Sequence, residues 1–403
     1  MSAETSDSGA PALARAHSVD GFVAPGFERV ADAFARTFDD RPGMGAALAV
    51  RIDGESVVDL WGGVADARTG HPWSRDTASV VFSCTKGLTS ILAARLVEEG
   101  RLDYAARVAE YWPEYASAGK ESTTVAQLLA HRAGLSAPRV DLAVDDIVDW
   151  PRMVLLLERQ RPLWQPGSGY AYHAITHGWL VGELVRRVTG ASVGANFADS
   201  VAGPLDVDAW IGLPAAEAAR VAHQTVGATL ADHIARLAET RDATEPDWSD
   251  LAMTLGGALP SALVTDGGGF NDPRVLAAEI PGAGGVATAR ALAAIWSATV
   301  APTGGVRLLS PTTVDAATRV QSEGAPVFPA DGPFPRWGMG FQLDSEARRY
   351  LTPRGFGHDG AGGQVAFAEP GLGLGFAFTT NLMEAVDPRG TAVVDALRAV
   401  VLA

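Results

Sequence analysis

The sequence predicts an α+β protein in which one antiparallel β-sheet, flanked by helices, is interrupted by a mainly α-helical insertion. Apolar runs of strand length occur near both ends of the 403-residue chain, and the middle contains helical stretches broken by Pro- and Gly-marked connections. We therefore expect 18–105 and 280–403 to form one sheet-containing domain and 106–279 to form a helical domain. Residues 1–17, which are small and polar, are expected to be a disordered tail.

The first sheet-containing segment combines a helix with a hairpin. A helix is expected over 27–38, where apolar residues recur every four positions. Two strands, 45–52 and 56–63, follow it. Asp53-Gly54 joins them and is a strong signal for a two-residue hairpin turn.

The last part of the chain contains two helical patterns, three strand patterns and a closing helix. Pro370-Gly371 is expected to turn the last strand pair. In chain order the elements are helices at 288–299 and 311–320, strands at 337–343, 364–368 and 374–379, and a helix at 389–402.

The motif Ser83-x-x-Lys86 is a candidate nucleophile site at the start of a helical stretch. At 100° per residue, Ser83 and Lys86 share one helix face, while Cys84 belongs to an apolar face and is expected to be a core residue. A lysine whose pKa is depressed by burial can take the proton of a serine hydroxyl, whereas arginine cannot. Lys86 and Lys120 are the only lysines among 32 basic residues.

Two other serine motifs compete with this one. Ser117-x-x-Lys120 lies in a polar connection, and we interpret it as a surface turn. Gly190-x-Ser192-x-Gly194 matches the nucleophile elbow of α/β-hydrolases, but a helix rather than a strand precedes it. We therefore interpret Gly190 as a helix C-cap and Ser192 as a turn or N-cap residue.

Two features of the predicted helical domain can carry functional groups. His131 ends a short helix expected over 124–130, and we interpret it as a cap of the last carbonyl groups rather than a ligand. A turn-rich loop over 164–173 leads into a helix expected over 176–188. Loops of this kind position binding and catalytic residues.

Charge and composition exclude several function classes. The net charge of −15 and the pI near 4.9 disfavour binding to nucleic acid or to an anionic membrane surface. The sequence has no apolar stretch of membrane-spanning length and no signal-peptide pattern, so we expect a cytoplasmic protein. The single cysteine excludes an internal disulfide.

Taken together, the motifs resemble the serine β-lactamase-like superfamily, in particular the class C β-lactamases and the family VIII carboxylesterases. The likeness covers nearly all of 20–400. Tyr172 is preferred to Tyr170 as the family's tyrosine because of its spacing to the following helix end, and Tyr170 stays an alternative. Three motifs carry the resemblance in the superfamily's order: Ser83-x-x-Lys86, Tyr172-His173-Ala174 in place of Tyr-x-Asn, and His358-Asp359-Gly360 in place of Lys-Thr-Gly.

The resemblance implies that Ser83 attacks a carbonyl carbon and forms an acyl-enzyme. Lys86 and Tyr172 would share the proton, with Lys86 either accepting it from Ser83 or keeping Tyr172 as a phenolate. The backbone N–H groups of Ser83 and Ala361 would form the oxyanion hole. Substrate-binding residues are expected at His358, Asp359, Gly360, Trp164 and Tyr170, and the glycines of the 357–363 segment would let substrate approach an edge strand.

Two departures from the family pattern concern the substrate. Ala174 replaces an asparagine whose amide the lactamases use, and His358 replaces a lysine. An unperturbed imidazole is largely neutral at pH 7 and becomes charged below about pH 6. Both changes disfavour an anionic β-lactam.

We therefore predict a serine carboxylesterase that acts on neutral esters of short to medium acyl chains and can transfer acyl groups to alcohols. The resemblance implies no metal or organic cofactor, and the expected partner is a small-molecule ester. Two alternatives stay open: a β-lactamase or D-Ala-D-Ala peptidase relative, and a non-catalytic ligand-binding relative.

Overall fold

One large antiparallel sheet, assembled from both ends of the chain, organises the molecule. The computed structural model describes residues 19–240, 245–385 and 387–403. The predicted tail, 1–17, lies outside the described residues.

The elements occur in runs, with strands mainly near the two ends of the described chain and helices mainly in its middle. The strands are β1 (Val19–Val23), β2 (Gly45–Ile52), β3 (Glu55–Asp66), β4 (His71–Pro72), β5 (Ser79–Val80), β6 (Ala209–Ile211), β7 (Thr225–Val226), β8 (Gly285–Ala287), β9 (Arg336–Trp337), β10 (Gln342–Leu343), β11 (Phe356–Gly360), β12 (Gln364–Glu369), β13 (Leu374–Thr380) and β14 (Leu382–Met383). The α-helices are α1 (Glu28–Arg36), α2 (Cys84–Glu98), α3 (Val108–Tyr111), α4 (Val125–Leu129), α5 (Val144–Ile147), α6 (Trp150–Arg159), α7 (Thr176–Thr189), α8 (Val193–Phe197), α9 (Gly203–Leu205), α10 (Ala228–Thr240), α11 (Trp248–Thr254), α12 (Pro273–Ala277), α13 (Ala289–Val300), α14 (Pro311–Ala317) and α15 (Pro388–Val401).

The large sheet has the strand order β1-β3-β2-β13-β12-β11-β10-β9, with β4 beside β3. At its centre β2 pairs with β13, and Ala49 lies opposite Ala377. All pairings in this sheet among the described residues are antiparallel. The predicted α+β class, with a sheet drawn from both parts of the chain, is confirmed.

Helices bury both faces of the sheet. On one face, Phe34 of α1 and Val394 of α15 belong to the same apolar cluster as Phe367 of β12. On the other face, Leu88 of α2 and Ile295 of α13 belong to the cluster that contains alanines of β12 and β13. Because successive strand residues point to opposite faces, the central strands β2, β12 and β13 contribute to both clusters.

Two strand predictions at the β9 end of the sheet need correction. The run 337–343 is not one strand, because Gly338 donates a backbone hydrogen bond to Phe341 (2.9 Å) and Gly340 has a φ of +81°. The result is a tight hairpin of β9 and β10. Strand β11 is not an edge strand along its whole length, since β10 pairs with it as far as Gly357.

The chain between α2 and β8 is mainly helical and contains α3 to α12. Its strand β6 pairs with β8, which also pairs with β5, and β7 pairs with β14 in parallel. The division of the chain into domains at 106 and 279 stays a prediction. No helix in the described ranges combines the length and the hydropathy needed to cross a membrane.

Candidate active site

Ser83 lies between β5 and the N-terminal end of α2. Phe82, immediately before it, has a φ of +43°, a conformation that costs a bulky L-residue free energy. Ser83 is partly exposed, whereas the helix residues 84–94 are buried. The strained turn thus presents one hydroxyl at the start of a 15-residue helix, whose dipole favours negative charge there.

Lys86 is fully buried, and its side-chain amine contacts three oxygen atoms. Lys86 Nζ lies 3.0 Å from Ser83 Oγ, 2.5 Å from the Ala174 carbonyl oxygen and 2.7 Å from the Gly282 carbonyl oxygen. Burial holds the pKa of Lys86 well below its usual value. A neutral amine has two N–H donors and one lone pair, so donation to the two carbonyls leaves the lone pair for the Ser83 hydroxyl.

Two threonines of α2 hold the segment that carries the Gly282 carbonyl. Thr89 Oγ1 donates to the carbonyl of Pro281 (2.8 Å), and the Gly285 N–H donates to Thr85 Oγ1 (2.9 Å). These residues flank Lys86 on the same helix, so one helix positions both the amine and one of its acceptors. The sequence analysis did not identify this role of the two threonines.

Tyr172 is the tyrosine that contacts Ser83 and Lys86. Its hydroxyl interacts with the Ser83 side chain, and Lys86 Nζ lies 4.8 Å from its ring centroid. Burial raises the pKa of Tyr172, and the contact with Ser83 only partly opposes this effect. Burial favours the neutral form of both side chains, so of the two predicted roles of Lys86 it favours acceptance of the Ser83 proton over a resting Tyr172 phenolate.

The polar atoms of Tyr170 and Trp164 are hydrogen-bonded within the protein, although Tyr170 also lines the apolar cavity beside Tyr172. The Tyr170 hydroxyl donates to the Gly324 carbonyl (2.5 Å), so it points toward another loop. The Trp164 indole N–H donates to Gly169 (3.2 Å), and its ring contacts Phe328 with centroids 5.6 Å apart. Tyr172 thus takes the position that the alternative would have given to Tyr170.

His358 faces α2 but is not the titrating group that the sequence suggested. Its Nδ1 donates to the Asp359 carbonyl (2.6 Å), and its Nε2 is buried without a partner among the described residues. Burial, together with the nearby Lys86, lowers the pKa of His358 to about 3. The imidazole therefore stays neutral near pH 6, and the expected charging in that range is wrong.

The side chain of Asp359 points to the opposite face of the sheet. His358 pairs in register with Ala366, whereas Asp359 pairs with Val365, which belongs to the other apolar cluster. There the Asp359 carboxylate forms an ion pair with Arg348 (3.0 Å). The structure thus places the Asp359 carboxylate in an ion pair with Arg348, and the contact of Asp359 with substrate stays a prediction.

Gly360 is explained by contact within the protein. A Cβ atom there would lie 2.3 Å from the carbonyl oxygen of Val81, so only glycine lets β11 end this close to the Ser83 turn. The expectation that Gly360 leaves room for substrate is not supported by this contact. Its effect is to bring the following residue, Ala361, toward Ser83.

The predicted oxyanion-hole amides are unobstructed. Ala361 begins a short 3₁₀ turn after β11. Two residues earlier, the Asp359 N–H donates to Gln342 Oε1 (3.0 Å). Within the described residues, neither the Ser83 N–H nor the Ala361 N–H has a hydrogen-bond acceptor. Both donors are therefore available to a developing oxyanion.

An apolar cavity of about 260 Å³ borders Tyr172 and Ala174. Its wall includes Trp248 and Ala252 of α11, with aromatic and proline side chains from the 326–337 segment. Asp331 is the one charged residue among the described residues that line it. The cavity can thus take an apolar group and offers no cation to an anionic one.

Buried histidines behind Tyr172 were not identified as a cluster from the sequence. They are His131, His173 and His177. The ring centroids of His173 and His177 lie 5.6 Å and 4.8 Å from that of His131. Burial lowers the pKa of each, so all three are neutral. His131 does not cap carbonyl groups as expected, since its Nδ1 accepts a hydrogen bond from the His173 N–H (3.2 Å).

The competing serine motifs have structural roles. Ser192 is the N-cap of α8 and accepts from the Ala195 N–H (3.2 Å), and Gly190 is the left-handed C-cap of α7, as predicted. The surface-turn interpretation is correct for the exposed Ser117 but wrong for Lys120. Lys120 is fully buried, and its amine donates to the carbonyls of Glu158 and Gln160, each at 2.8 Å.

Comparison with known proteins identifies the same family that the sequence motifs resemble. The sequence profile of the β-lactamase family matches residues 31–399. The chain is 37% identical over 374 residues to "Esterase/beta-lactamase LipL" of Mycobacterium tuberculosis. The aligned region covers 90% of this chain and 83% of that protein.

Two solved structures are similar over nearly their full length. One is a family VIII carboxylesterase, with a TM-score of 0.83 and 36% identity over 95% of this chain and 100% of that chain. The other is a penicillin-binding protein homologue from Caulobacter crescentus, with a TM-score of 0.82, 34% identity and the same coverage.

Proposed function

The chain belongs to the β-lactamase family, and from this premise we propose that it is a serine carboxylesterase that forms an acyl-enzyme on Ser83. The observation that carries the proposal is the buried Lys86 amine, whose lone pair is left for Ser83 by two carbonyl acceptors. The names of its relatives, an esterase/β-lactamase and a family VIII carboxylesterase, support ester hydrolysis.

In acylation, Ser83 Oγ attacks the ester carbonyl carbon and its proton passes to Lys86 Nζ. The carbonyl oxygen becomes an oxyanion that accepts from the N–H groups of Ser83 and Ala361. The carbon–oxygen bond to the alcohol then breaks, and the Tyr172 hydroxyl protonates the leaving oxygen while it recovers a proton from Lys86. This order requires no resting phenolate, in agreement with the raised pKa of Tyr172.

In deacylation, water attacks the acyl carbon and gives its proton to the Tyr172 and Lys86 pair. The bond to Ser83 Oγ breaks, the carboxylic acid leaves and the serine hydroxyl is restored. An alcohol in place of water would give acyl transfer by the same steps. The burial of Tyr172 and Lys86 supports a site in which such a competition can occur.

The substrate class we propose is a neutral ester with a short to medium acyl chain. The apolar cavity of about 260 Å³ next to Tyr172 supports an apolar group of limited size. The neutral His358 and the absence of a cationic side chain among the described cavity residues weigh against an anionic substrate. A charge-assisted hydrogen bond, worth about 1.5–3 kcal/mol, is then missing for a β-lactam carboxylate.

Hydrolysis of p-nitrophenyl butyrate and of nitrocefin tests the proposal. We expect a burst of nitrophenol followed by steady turnover, and a kcat/KM for nitrocefin at least about 10-fold lower. No turnover of either compound would favour a non-catalytic binding protein. A preference for nitrocefin would favour a β-lactamase and contradict the proposed substrate class.

A further inference from the structure

His131 accepts hydrogen bonds from the N–H groups of both sequence neighbours of Tyr172. Its carbonyl oxygen accepts from the Ala171 N–H at 3.2 Å, and its Nδ1 accepts from the His173 N–H at 3.2 Å. Its ring also packs against Tyr172, with centroids 5.0 Å apart and planes at 63°. One residue therefore contacts the tyrosine ring and both of its neighbours in the chain.

This arrangement has an energetic cost. His131 has a φ of +62°, in the left-handed region that residues other than glycine adopt infrequently. Its Nδ1 accepts a hydrogen bond, so a neutral ring carries its proton on Nε2, which is buried without a partner in the described part of the chain. Backbone strain and an unpaired buried donor at one residue beside an active site indicate a functional constraint.

We propose that His131 is a positioning residue that sets the direction of the Tyr172 hydroxyl toward the leaving oxygen. The inference rests on the proposed role of Tyr172 as proton donor. Trp337 stacks on the tyrosine ring with centroids 5.3 Å apart and planes at 15°, and its ring also contacts that of His131, with centroids 4.7 Å apart. Trp337 limits the motion of the tyrosine ring toward it, and His131 fixes the backbone from which the ring extends.

The consequence is specific to the leaving group. An alkyl alcohol leaves only when its oxygen is protonated, whereas p-nitrophenolate is stable enough to leave without that proton. A misplaced Tyr172 should therefore slow the hydrolysis of ethyl butyrate much more than that of p-nitrophenyl butyrate. A general loss of folded protein would lower both rates by the same factor.

The test compares His131→Asn with His131→Gln. The asparagine oxygen can occupy the place of Nδ1 and asparagine tolerates a positive φ, while the glutamine oxygen lies near the place of Nε2. His177→Gln is the matched control, because His177 contacts the His131 ring at 4.8 Å but donates to Leu129 (3.2 Å), outside the tyrosine segment. Tm is measured for each variant, and kcat/KM is measured for both esters.

We expect His131→Gln to lower the ratio of the ethyl to the p-nitrophenyl rate by about 10–100-fold, part of what general acid catalysis contributes. His131→Asn and His177→Gln should keep that ratio within about 3-fold of wild type. A wild-type ratio in His131→Gln overturns the inference, and so does an equal loss in His131→Asn at unchanged Tm.

Tyr172→Phe separates this inference from the proposed function. Loss of the hydroxyl should lower the ratio at least as much as His131→Gln does. A wild-type ratio in Tyr172→Phe would overturn the proposed acid role of Tyr172 and this inference with it. If Tyr172→Phe lowers the ratio and His131→Gln does not, only the positioning role of His131 fails.

Discussion

The carbonyl oxygen of Gly282 lies 2.7 Å from Nζ of Lys86, although 196 positions separate the two residues in the chain. With the carbonyl of Ala174 at 2.5 Å, it uses both N–H groups of a neutral lysine. The free lone pair is then directed to the Ser83 hydroxyl at 3.0 Å. This relationship makes the base dependent on the geometry of an amine rather than on positive charge alone.

Lys86→Arg should be nearly as inactive as Lys86→Ala, because a guanidinium cannot take the serine proton. The measurement is kcat for p-nitrophenyl butyrate, with circular dichroism to confirm folding. An arginine variant that keeps more than about a tenth of wild-type turnover would mean that Lys86 supplies only charge.

Ser83→Ala should lower kcat by about 10⁴-fold or more, as expected when a serine nucleophile is lost. Ser192→Ala is the matched control, since Ser192 is the N-cap of α8. Its loss should cost about 1 kcal/mol of folding free energy and leave kcat within about 2-fold of wild type. The reverse result would identify Ser192 as the nucleophile and refute the proposed site.

The pH profile of kcat/KM should have an acidic limb that belongs to Lys86. The amine acts as a base only when it is neutral, so activity should rise with pH through the pKa of Lys86, which burial holds well below its usual value of 10.5. His358, with its pKa lowered to about 3, is neutral over that range.

His358→Gln should therefore keep the acidic limb, although its absolute rate can differ. The limb is measured from pH 5 to pH 10 with an ester whose spontaneous hydrolysis is subtracted. Disappearance of the limb in this variant would assign it to the imidazole and contradict the titration assigned here to Lys86.

Ala252→Phe should shorten the acyl or alcohol group that the enzyme accepts. Ala252 is buried on α11 and lines the apolar cavity, so a phenyl ring there removes part of the space. Each excluded methylene costs about 0.8 kcal/mol of burial, or roughly 4-fold in kcat/KM. The acetate ester serves as the internal control, and an unchanged ratio of hexanoate to acetate rates would show that substrate binds elsewhere.

The sequence predicts the elements that depend on local patterns. The hairpin turn at Asp53-Gly54 and the helix at α7, which begins at Thr176 as expected, are determined by nearby residues. Ser83 and Lys86 could be paired from helix geometry alone.

The other features depend on contacts between residues far apart in the chain. Nothing near His358 in the sequence indicates that α2 buries its ring, so its pKa could not be inferred. Likewise, Lys120 follows a polar turn, but its burial depends on carbonyls 38 and 40 positions away. The two peptide groups that His131 holds, at Ala171 and His173, are equally remote from it.

The pairing of β2 with β13 also affects the order in which the protein becomes active during its synthesis. A ribosome makes Ser83 and Lys86 early, but the carbonyl of Gly282, the amide of Ala361 and the strand that completes the sheet follow much later. A nascent chain that ends before Gly282 lacks an acceptor for the Lys86 amine, and one that ends before β13 lacks the strand that joins β2 to β12 in the sheet. Incomplete chains should not react with cellular esters, and the nucleophile becomes reactive only when nearly the whole protein has been released from the ribosome.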